Sequence, residues 1–240
     1  MADQLRSVHP TRRSERLISL AGATVARSGA GAWVRAAVLR VSRPTYARTL
    51  RAIPSRLELP FVLNARRLTG TGVEVGVDEG VFSEYLLEHW RASKLISVDP
   101  WLQMAPDDYA DTCNVEQASM EDKYQATTRR LERFGERSEI WRETSLQAAA
   151  RLAPRSLDFV YLDARHSYEG VSEDLQAWFA LVREGGLMAG HDYNDGVFVE
   201  GVHGVRSAVD DFFGARAIPV RHTYTDVPSC SWVVQVPRRP

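Results

Sequence analysis

The stretch Thr71-Gly-Val-Glu-Val-Gly-Val-Asp-Glu-Gly-Val-Phe-Ser83 decides the fold of this 240-residue chain. Val73 and Val75 predict a buried strand, and the apolar residues that follow Gly80 predict a helix. Between them, Gly76 permits a tight backbone turn, and Gly80 lets the helix approach closely. A strand that passes through such a turn into a helix is typical of the cofactor-binding edge of an α/β domain.

The charges of this turn indicate which kind of cofactor it binds. A dinucleotide would place its pyrophosphate at the start of the helix, where the acids Glu74, Asp78 and Glu79 would repel it. The G-x-G-x-x-G spacing of an NAD-dependent dehydrogenase is also missing. Acids suit a cationic ligand, and S-adenosylmethionine carries a sulfonium and an ammonium group. We therefore expect S-adenosylmethionine as the cofactor.

Three further strands are predicted to end at the same sheet edge. Lys94-Leu-Ile-Ser-Val-Asp99 places an acid downstream of the glycine turn, where a ribose-binding carboxylate belongs. Leu157-Asp-Phe-Val-Tyr-Leu-Asp163 brings a second acid to the carboxyl edge, and Leu187-Met-Ala189 leads into Gly190-His-Asp-Tyr193. Between the last two strands, a helix is predicted to bury one apolar face, formed by Val171, Leu175, Trp178 and Val182.

The patterns D-x-x-H-x-Y-E-G, from Asp163, and G-G-x-x-x-G-H-D-Y, from Gly185, resemble class I S-adenosylmethionine-dependent methyltransferases. The resemblance runs from about residue 72 to 236 and is strongest to the branch that includes sugar O-methyltransferases and to the similar catechol O-methyltransferases. It implies an α/β fold, a Rossmann-like three-layer sandwich with a seven-stranded, mostly parallel sheet and an antiparallel terminal strand. The predicted terminal strand pair, 218–222 and 231–236, agrees with this fold.

The resemblance also implies the site residues. It assigns cofactor binding to Glu74, Gly76, Gly80, Asp99, Glu143, Ser145 and Asp163. In metal-dependent relatives, the positions of Asp163, His191 and Asp192 hold Mg²⁺. Because hard cations prefer carboxylate oxygen, His191 in place of the usual acid indicates either a softer divalent metal or none.

Asp163 and His166 are the predicted catalytic residues. A hydroxyl acceptor must lose its proton as it is methylated, and the imidazole of His166 titrates near neutrality, so we expect it to be the base. A bound metal would assist by lowering the pKa of the hydroxyl. In the structural alternative, Asp163 hydrogen-bonds the cofactor while His166 caps a turn and packs on Tyr168.

The charge distribution divides the chain at residue 67. Residues 1–67 contain 13 Arg and no Lys against three acids, a net charge of 13 − 3 = +10, whereas residues 68–240 have 17 − 28 = −11. We expect a basic helical N-terminal extension, 1–67, and a methyltransferase domain, 68–240. Three roles remain open for the extension: a lid or dimer arm of a homo-oligomer, a peripheral membrane contact, or a targeting peptide.

Composition and the remaining motifs indicate a cytoplasmic enzyme. The two cysteines form no metal or disulfide pattern, and no apolar run is long enough to span a membrane. The segment after Trp101, including Met104 and Tyr109, is predicted either to contact the acceptor or to tuck its aromatic residues into the core. We expect a small hydroxylated acceptor, such as a sugar unit of a glycoside or glycolipid. The alternatives are a non-catalytic cofactor-binding scaffold and a nucleic-acid methyltransferase, which the lack of an N/D-P-P-Y-like motif disfavours.

Overall fold

A computed structural model describes residues 41–105, 114–198, 201–226 and 229–238. Residues from Thr45 onward form one compact unit. The helices predicted within the first 40 residues, and Tyr109, lie outside the described residues. In the part of the chain that is described, no helix has the length and apolar character needed to cross a membrane.

A seven-stranded sheet forms the centre of the compact unit. Its strands are β1 (Thr71–Val75), β2 (Lys94–Val98), β3 (Ser138–Trp141), β4 (Leu157–Leu162), β5 (Val182–Gly190), β8 (Arg221–His222) and β9 (Trp232–Gln235). Their order across the sheet is β3-β2-β1-β4-β5-β9-β8. The pairs among β1 to β5 are parallel, whereas β9 is antiparallel to both β5 and β8. This topology confirms the predicted mostly parallel α/β sheet with an antiparallel strand near its end.

Helices cover both faces of this sheet, because its strands are apolar on both sides. On β4, Val160 and Leu162 belong to one buried cluster, whereas Phe159 and Tyr161 belong to another. This alternation is what a three-layer sandwich requires. The helices are α1 (Leu59–Ala65), α2 (Val81–His89), α3 (Gln117–Leu131), α4 (Ser145–Ala150), α5 (Tyr168–Phe179) and α6 (Val205–Gly214), and residues 41–49 are also helical.

Residues 45–67, which the charge pattern assigns to the extension, contribute to the core of the compact unit. Tyr46, Ile53 and Leu63 are buried in the same apolar cluster as Phe159 of β4. The hydroxyl of Tyr46 donates a hydrogen bond to the buried carboxylate of Glu58. The packing of this segment against the sheet fixes the positions of its polar residues at the edge of the sheet.

Two features of the fold differ from the sequence expectations. Val182 was expected on the apolar face of the helix before β5, but α5 ends at Phe179 and Val182 begins β5. A separate antiparallel hairpin, β6 (Asp195–Phe198) and β7 (Gly201–Gly204), was not predicted. Its residues Val197 and Val202 face each other across the ladder and are exposed, so the usual signal of a buried strand face is missing.

Candidate active site

The glycine turn after β1 is built as the sequence predicts. Gly76 has φ +84°, and a β-carbon there would lie 1.9 Å from the carbonyl oxygen of Asp163. Gly80 has φ +75° and precedes α2, where a β-carbon would lie 2.9 Å from Thr127 of α3. Both positions therefore require glycine, one for the packing of β1 on the end of β4 and the other for the packing of α2 on α3.

Asp99 fixes the shape of this turn. Its Oδ2 accepts hydrogen bonds from the backbone N–H groups of Val77 and Asp78, at 2.9 and 3.1 Å, and its Oδ1 accepts one from Trp101 at 2.8 Å. Burial raises the pKa of Asp99, although the three N–H donors oppose that rise. The carboxylate predicted to bind ribose thus also organises the loop that surrounds the cofactor site.

The acids of the turn are less anionic than the sequence suggests. Oδ1 of Asp78 lies 2.5 Å from the ammonium group of Lys123. Glu74 is buried, and burial raises its pKa to about 8 even though the hydroxyl of Ser83 donates to its carboxylate. With Asp78 paired to Lys123 and Glu74 protonated at neutral pH, the turn carries less negative charge than its three acids would give if all were ionised.

Of the two residues near the start of α4 that were predicted to bind the cofactor, Ser145 lines the main cavity and Glu143 does not. Thr144 caps α4 through a capping box with Gln147. The hydroxyl of Ser145 donates to buried Asp174 at 2.6 Å and accepts from Trp178 Nε1 at 2.9 Å, which ties α4 to α5. Thr144 and Ser145 line the main cavity. Glu143 instead pairs with Arg151 at 2.6 Å and is absent from the described residues that line the cavity.

A polar cluster forms where β4 and β5 end side by side, as the sequence predicts. Asp163 follows β4, and His191 and Asp192 follow β5. Nδ1 of His191 lies 3.3 Å from Oδ2 of Asp192 and 3.9 Å from Oδ1 of Asp163. Nε2 of His166 lies 3.2 Å from the same Oδ2 of Asp192. Two imidazoles therefore share one carboxylate oxygen.

The electrostatics of the cluster separate its two acids. Burial opposes ionisation of Asp192, but its interactions with His166 and His191 outweigh burial and hold its pKa well below the usual range. Burial raises the pKa of Asp163, with His191 among the opposing groups. Asp192 is therefore the permanent anion of the cluster. Its backbone has φ +48°, a left-handed conformation that residues other than glycine seldom adopt.

Arg56 joins this cluster from the N-terminal segment, and the sequence analysis missed it. Its Nη1 lies 3.2 Å from Oδ2 of Asp163, and its guanidinium lies 5.1 Å from the ring centroid of Phe82. Its backbone N–H donates to Asp226 at 2.8 Å. No local pattern distinguishes Arg56 from the twelve other arginines of residues 1–67, so only the tertiary fold identifies it.

The hairpin adds a second set of missed residues. His203 of β7 stacks on His166 with ring centroids 4.5 Å apart, and its Nδ1 lies 3.0 Å from Oδ1 of Asn194. The amide nitrogen of Asn194 donates to Ser229 at 2.7 Å. His166 therefore packs on a histidine of the hairpin, whereas the structural alternative from sequence placed it against Tyr168. The available signal for this hairpin was the valine- and glycine-rich composition of residues 196–204.

The predicted metal ligands come together, but their surroundings do not fit a resident Mg²⁺. One ligand atom each from Asp163, His191 and Asp192 lies within 4.8 Å of the others. However, Oδ2 of Asp163 already faces the guanidinium of Arg56, and Oδ2 of Asp192 faces both imidazoles. Because Mg²⁺ demands an octahedral set of oxygen ligands, one imidazole and a neighbouring guanidinium both count against it.

A single cavity of about 700 Å³ connects the glycine turn to the polar cluster. This volume lies within the range of about 300–1,000 Å³ that small-molecule sites occupy. At one end it is lined by the turn, Asp99 and Ser145, and at the other by Arg56, His166 and the hairpin. Trp101 and Met104 also line it, but Trp101 is fully buried and its Nε1 donates to the carbonyl of Asp78 at 2.8 Å, so its indole is part of the core.

A family model described as a methyltransferase domain matches residues 73–193, which run from β1 to the polar cluster. No curated protein sequence matches the chain.

Solved structures are similar in fold. A Corynebacterium glutamicum protein has a TM-score of 0.53 at 15% identity, covering 95% of this chain and 99% of its own. An O-methyltransferase from Bacillus cereus, solved with S-adenosylhomocysteine, has a TM-score of 0.50 at 13% identity, covering 94% and 92%. An rRNA methylase from Streptococcus thermophilus has a TM-score of 0.50 at 10% identity, covering 72% and 92%. At these identities the likeness concerns the fold alone.

Proposed function

Because this chain belongs to the methyltransferase-domain family and is an S-adenosylmethionine-dependent methyltransferase, we propose that it methylates a hydroxyl group of a small acceptor, namely a sugar unit of a glycoside or glycolipid. The observation that carries this proposal is the pairing of His166 with Asp192 at 3.2 Å, in the same cavity as the glycine turn. A base held by a permanent anion is what a weakly acidic hydroxyl requires.

The cofactor, when bound, supplies a methyl group activated by a positively charged sulfur. His166 takes the proton of the acceptor hydroxyl as the oxygen forms its bond to the methyl carbon and the carbon–sulfur bond breaks. The products are a methyl ether, S-adenosylhomocysteine and a protonated imidazole. Asp192 keeps the ring of His166 oriented and stabilises its positive charge, as the carboxylate of a histidine–aspartate pair does in hydrolases.

The cofactor end of the cavity supports its part of the proposal with fixed groups. Asp99 holds the backbone of the turn in place, while Gly76 and Gly80 keep β-carbons out of it. Glu74 has a carboxyl group whose pKa lies near neutrality, so it can release its proton when a cationic ligand approaches. Thr144 and Ser145 extend the same wall towards the start of α4.

The family resemblance also implies a divalent cation at Asp163, His191 and Asp192, and the proposal does not include that ion. Such an ion would lower the pKa of the acceptor hydroxyl. We do not route the proton transfer through it, because Arg56 already faces the carboxylate of Asp163 at 3.2 Å. The base in our proposal is His166.

The test uses the purified full-length chain. Calorimetric titration with S-adenosylhomocysteine establishes cofactor binding, and methyl-tritiated S-adenosylmethionine is then supplied with separate panels of glycosides, catechols and ribosomal RNA. We expect label in the glycosides, as an alkali-stable ether. Label confined to RNA or to catechols would overturn the sugar acceptor.

A further inference from the structure

We infer that Arg56 is a fixed cation of this active site and that it excludes a divalent metal from Asp163. The inference rests on the proposed O-methyl transfer and deepens it: the reaction proceeds without a metal because the guanidinium occupies the position at Asp163 that the metal would need. Arg56 acts on metal binding through Asp163, and it acts on the acceptor through the charge that it adds to the cavity.

The contacts of Arg56 hold its guanidinium in place. Nη1 lies 3.2 Å from Oδ2 of Asp163, and the ring of Phe82 lies beneath the guanidinium at 5.1 Å. Ser55 caps the short helical turn that begins at Arg56, and the backbone N–H of Arg56 donates to Asp226. A side chain that is anchored at its backbone and stacked on an aromatic ring loses little further entropy by pairing with Asp163.

Both oxygens of the Asp163 carboxylate face a nitrogen group. Oδ2 faces Arg56, and Oδ1 lies 3.9 Å from Nδ1 of His191. A divalent ion bound to Asp163 must therefore displace the guanidinium or lie directly beside it. A guanidinium keeps its charge throughout the physiological pH range, so it cannot give way by deprotonation as a lysine can.

Arg56 also lines the same cavity as His166, so its charge reaches the acceptor end of the site. An oxygen that loses its proton to His166 becomes more negative, and a fixed cation nearby stabilises that change. The guanidinium thereby supplies the electrostatic help that a metal gives in metal-dependent enzymes. Removing Arg56 should have two opposite effects: it should weaken methyl transfer and open the carboxylate to metals.

The experiment compares Mn²⁺ binding by the full-length wild type and three variants, using the electron paramagnetic resonance signal of free Mn²⁺. We expect Arg56→Gln to bind Mn²⁺ at least about tenfold more tightly than the wild type, since it leaves Asp163 without its guanidinium. Arg56→Lys, which keeps a positive charge, should bind Mn²⁺ more weakly than Arg56→Gln does, with an affinity closer to that of the wild type. Arg51→Gln is the matched control, because Arg51 is exposed and close in sequence; it should bind Mn²⁺ as the wild type does.

The wild type alone provides a second measurement that depends on no variant. We expect EDTA to leave its methyl transfer unchanged. Loss of activity with EDTA, or equal Mn²⁺ affinity in the wild type and Arg56→Gln, would overturn the inference. Binding of S-adenosylhomocysteine verifies that each variant is folded. If no hydroxyl acceptor is methylated, the proposed function fails, but the Mn²⁺ comparison still decides the role of Arg56.

Discussion

Gly76 and the backbone of Asp163 lie so close that a β-carbon on residue 76 would come within 1.9 Å of the Asp163 carbonyl oxygen. The backbone N–H of Asp163 also donates to the carbonyl of Val75 at 2.8 Å. The cofactor turn and the acid at the acceptor end therefore share one rigid junction. A displacement on one side of this junction must be transmitted to the other.

Gly76→Ala should damage both stability and binding. The atom that the new methyl group meets is backbone, and φ +84° is unfavourable for alanine, so we expect a loss of more than about 3 kcal/mol in the free energy of unfolding. Urea denaturation measures this loss. Gly214→Ala is the control, because a β-carbon there meets nothing within 4 Å, and it should stay within about 1 kcal/mol of the wild type. Equal effects would contradict the close packing at Gly76.

Asp99→Asn should weaken cofactor binding by disordering the turn. The carboxylate accepts three backbone N–H groups, whereas an amide turns one of its positions into a donor that faces another donor. We expect the Kd for S-adenosylhomocysteine, measured by calorimetry, to rise more than about tenfold. Asp122→Asn, at an exposed acid of α3, should leave it unchanged. An unaltered Kd in Asp99→Asn would show that the turn keeps its shape without this carboxylate.

His166→Asn should separate catalysis from binding. Loss of a general base costs about 10²- to 10⁴-fold in kcat, while the cofactor end of the cavity is untouched. We expect the Kd for S-adenosylhomocysteine to stay within about twofold of the wild type. His89→Asn, at the last residue of α2, serves as the control and should retain full activity. A variant His166→Asn with normal kcat would remove His166 from the mechanism.

Glu74→Gln should change how stability depends on pH. Burial raises the pKa of Glu74 from 4.5 to about 8, so the folded state keeps a proton that the unfolded chain loses above about 4.5. The contribution of Glu74 to the free energy of unfolding is fully present below about pH 4.5 and is lost as the pH rises through about 8. We therefore expect the free energy of unfolding of Glu74→Gln, relative to that of the wild type, to rise between about pH 5 and pH 8.5. Urea denaturation measures this rise, which should be at most about 5 kcal/mol. Parallel pH profiles would be inconsistent with a buried, protonated Glu74.

The fold was predictable because its signals are local. Periodic apolar residues and glycines mark β1, the turn and α2, and the ends of parallel strands must meet at one edge. The convergence of Asp163, His191 and Asp192 follows from that rule. The exact end of α5 was not predictable, since Val182 continues the helical spacing although it belongs to β5.

The residues that the sequence analysis missed reach the site through tertiary contacts. Arg56 lies 107 positions before Asp163 and pairs with it only because residues 45–67 pack on the sheet. His203 stacks on His166 through a hairpin whose valines are exposed, so no buried pattern marked it. A side-chain contact also lowers the net negative charge of the acidic turn, because Lys123 of α3 pairs with Asp78.

The β6–β7 hairpin is a small sheet of its own, separate from the seven strands that carry the cofactor turn. Phe198 and His203 contribute one wall of the cavity, whereas Val197 and Val202 point outward. Val197 and Val202 can therefore change without altering contacts of the parallel strands, whereas His203 is held against His166 by stacking. Under the proposed function, we expect that exchange of this one module alters the choice of acceptor and leaves the cofactor turn in place.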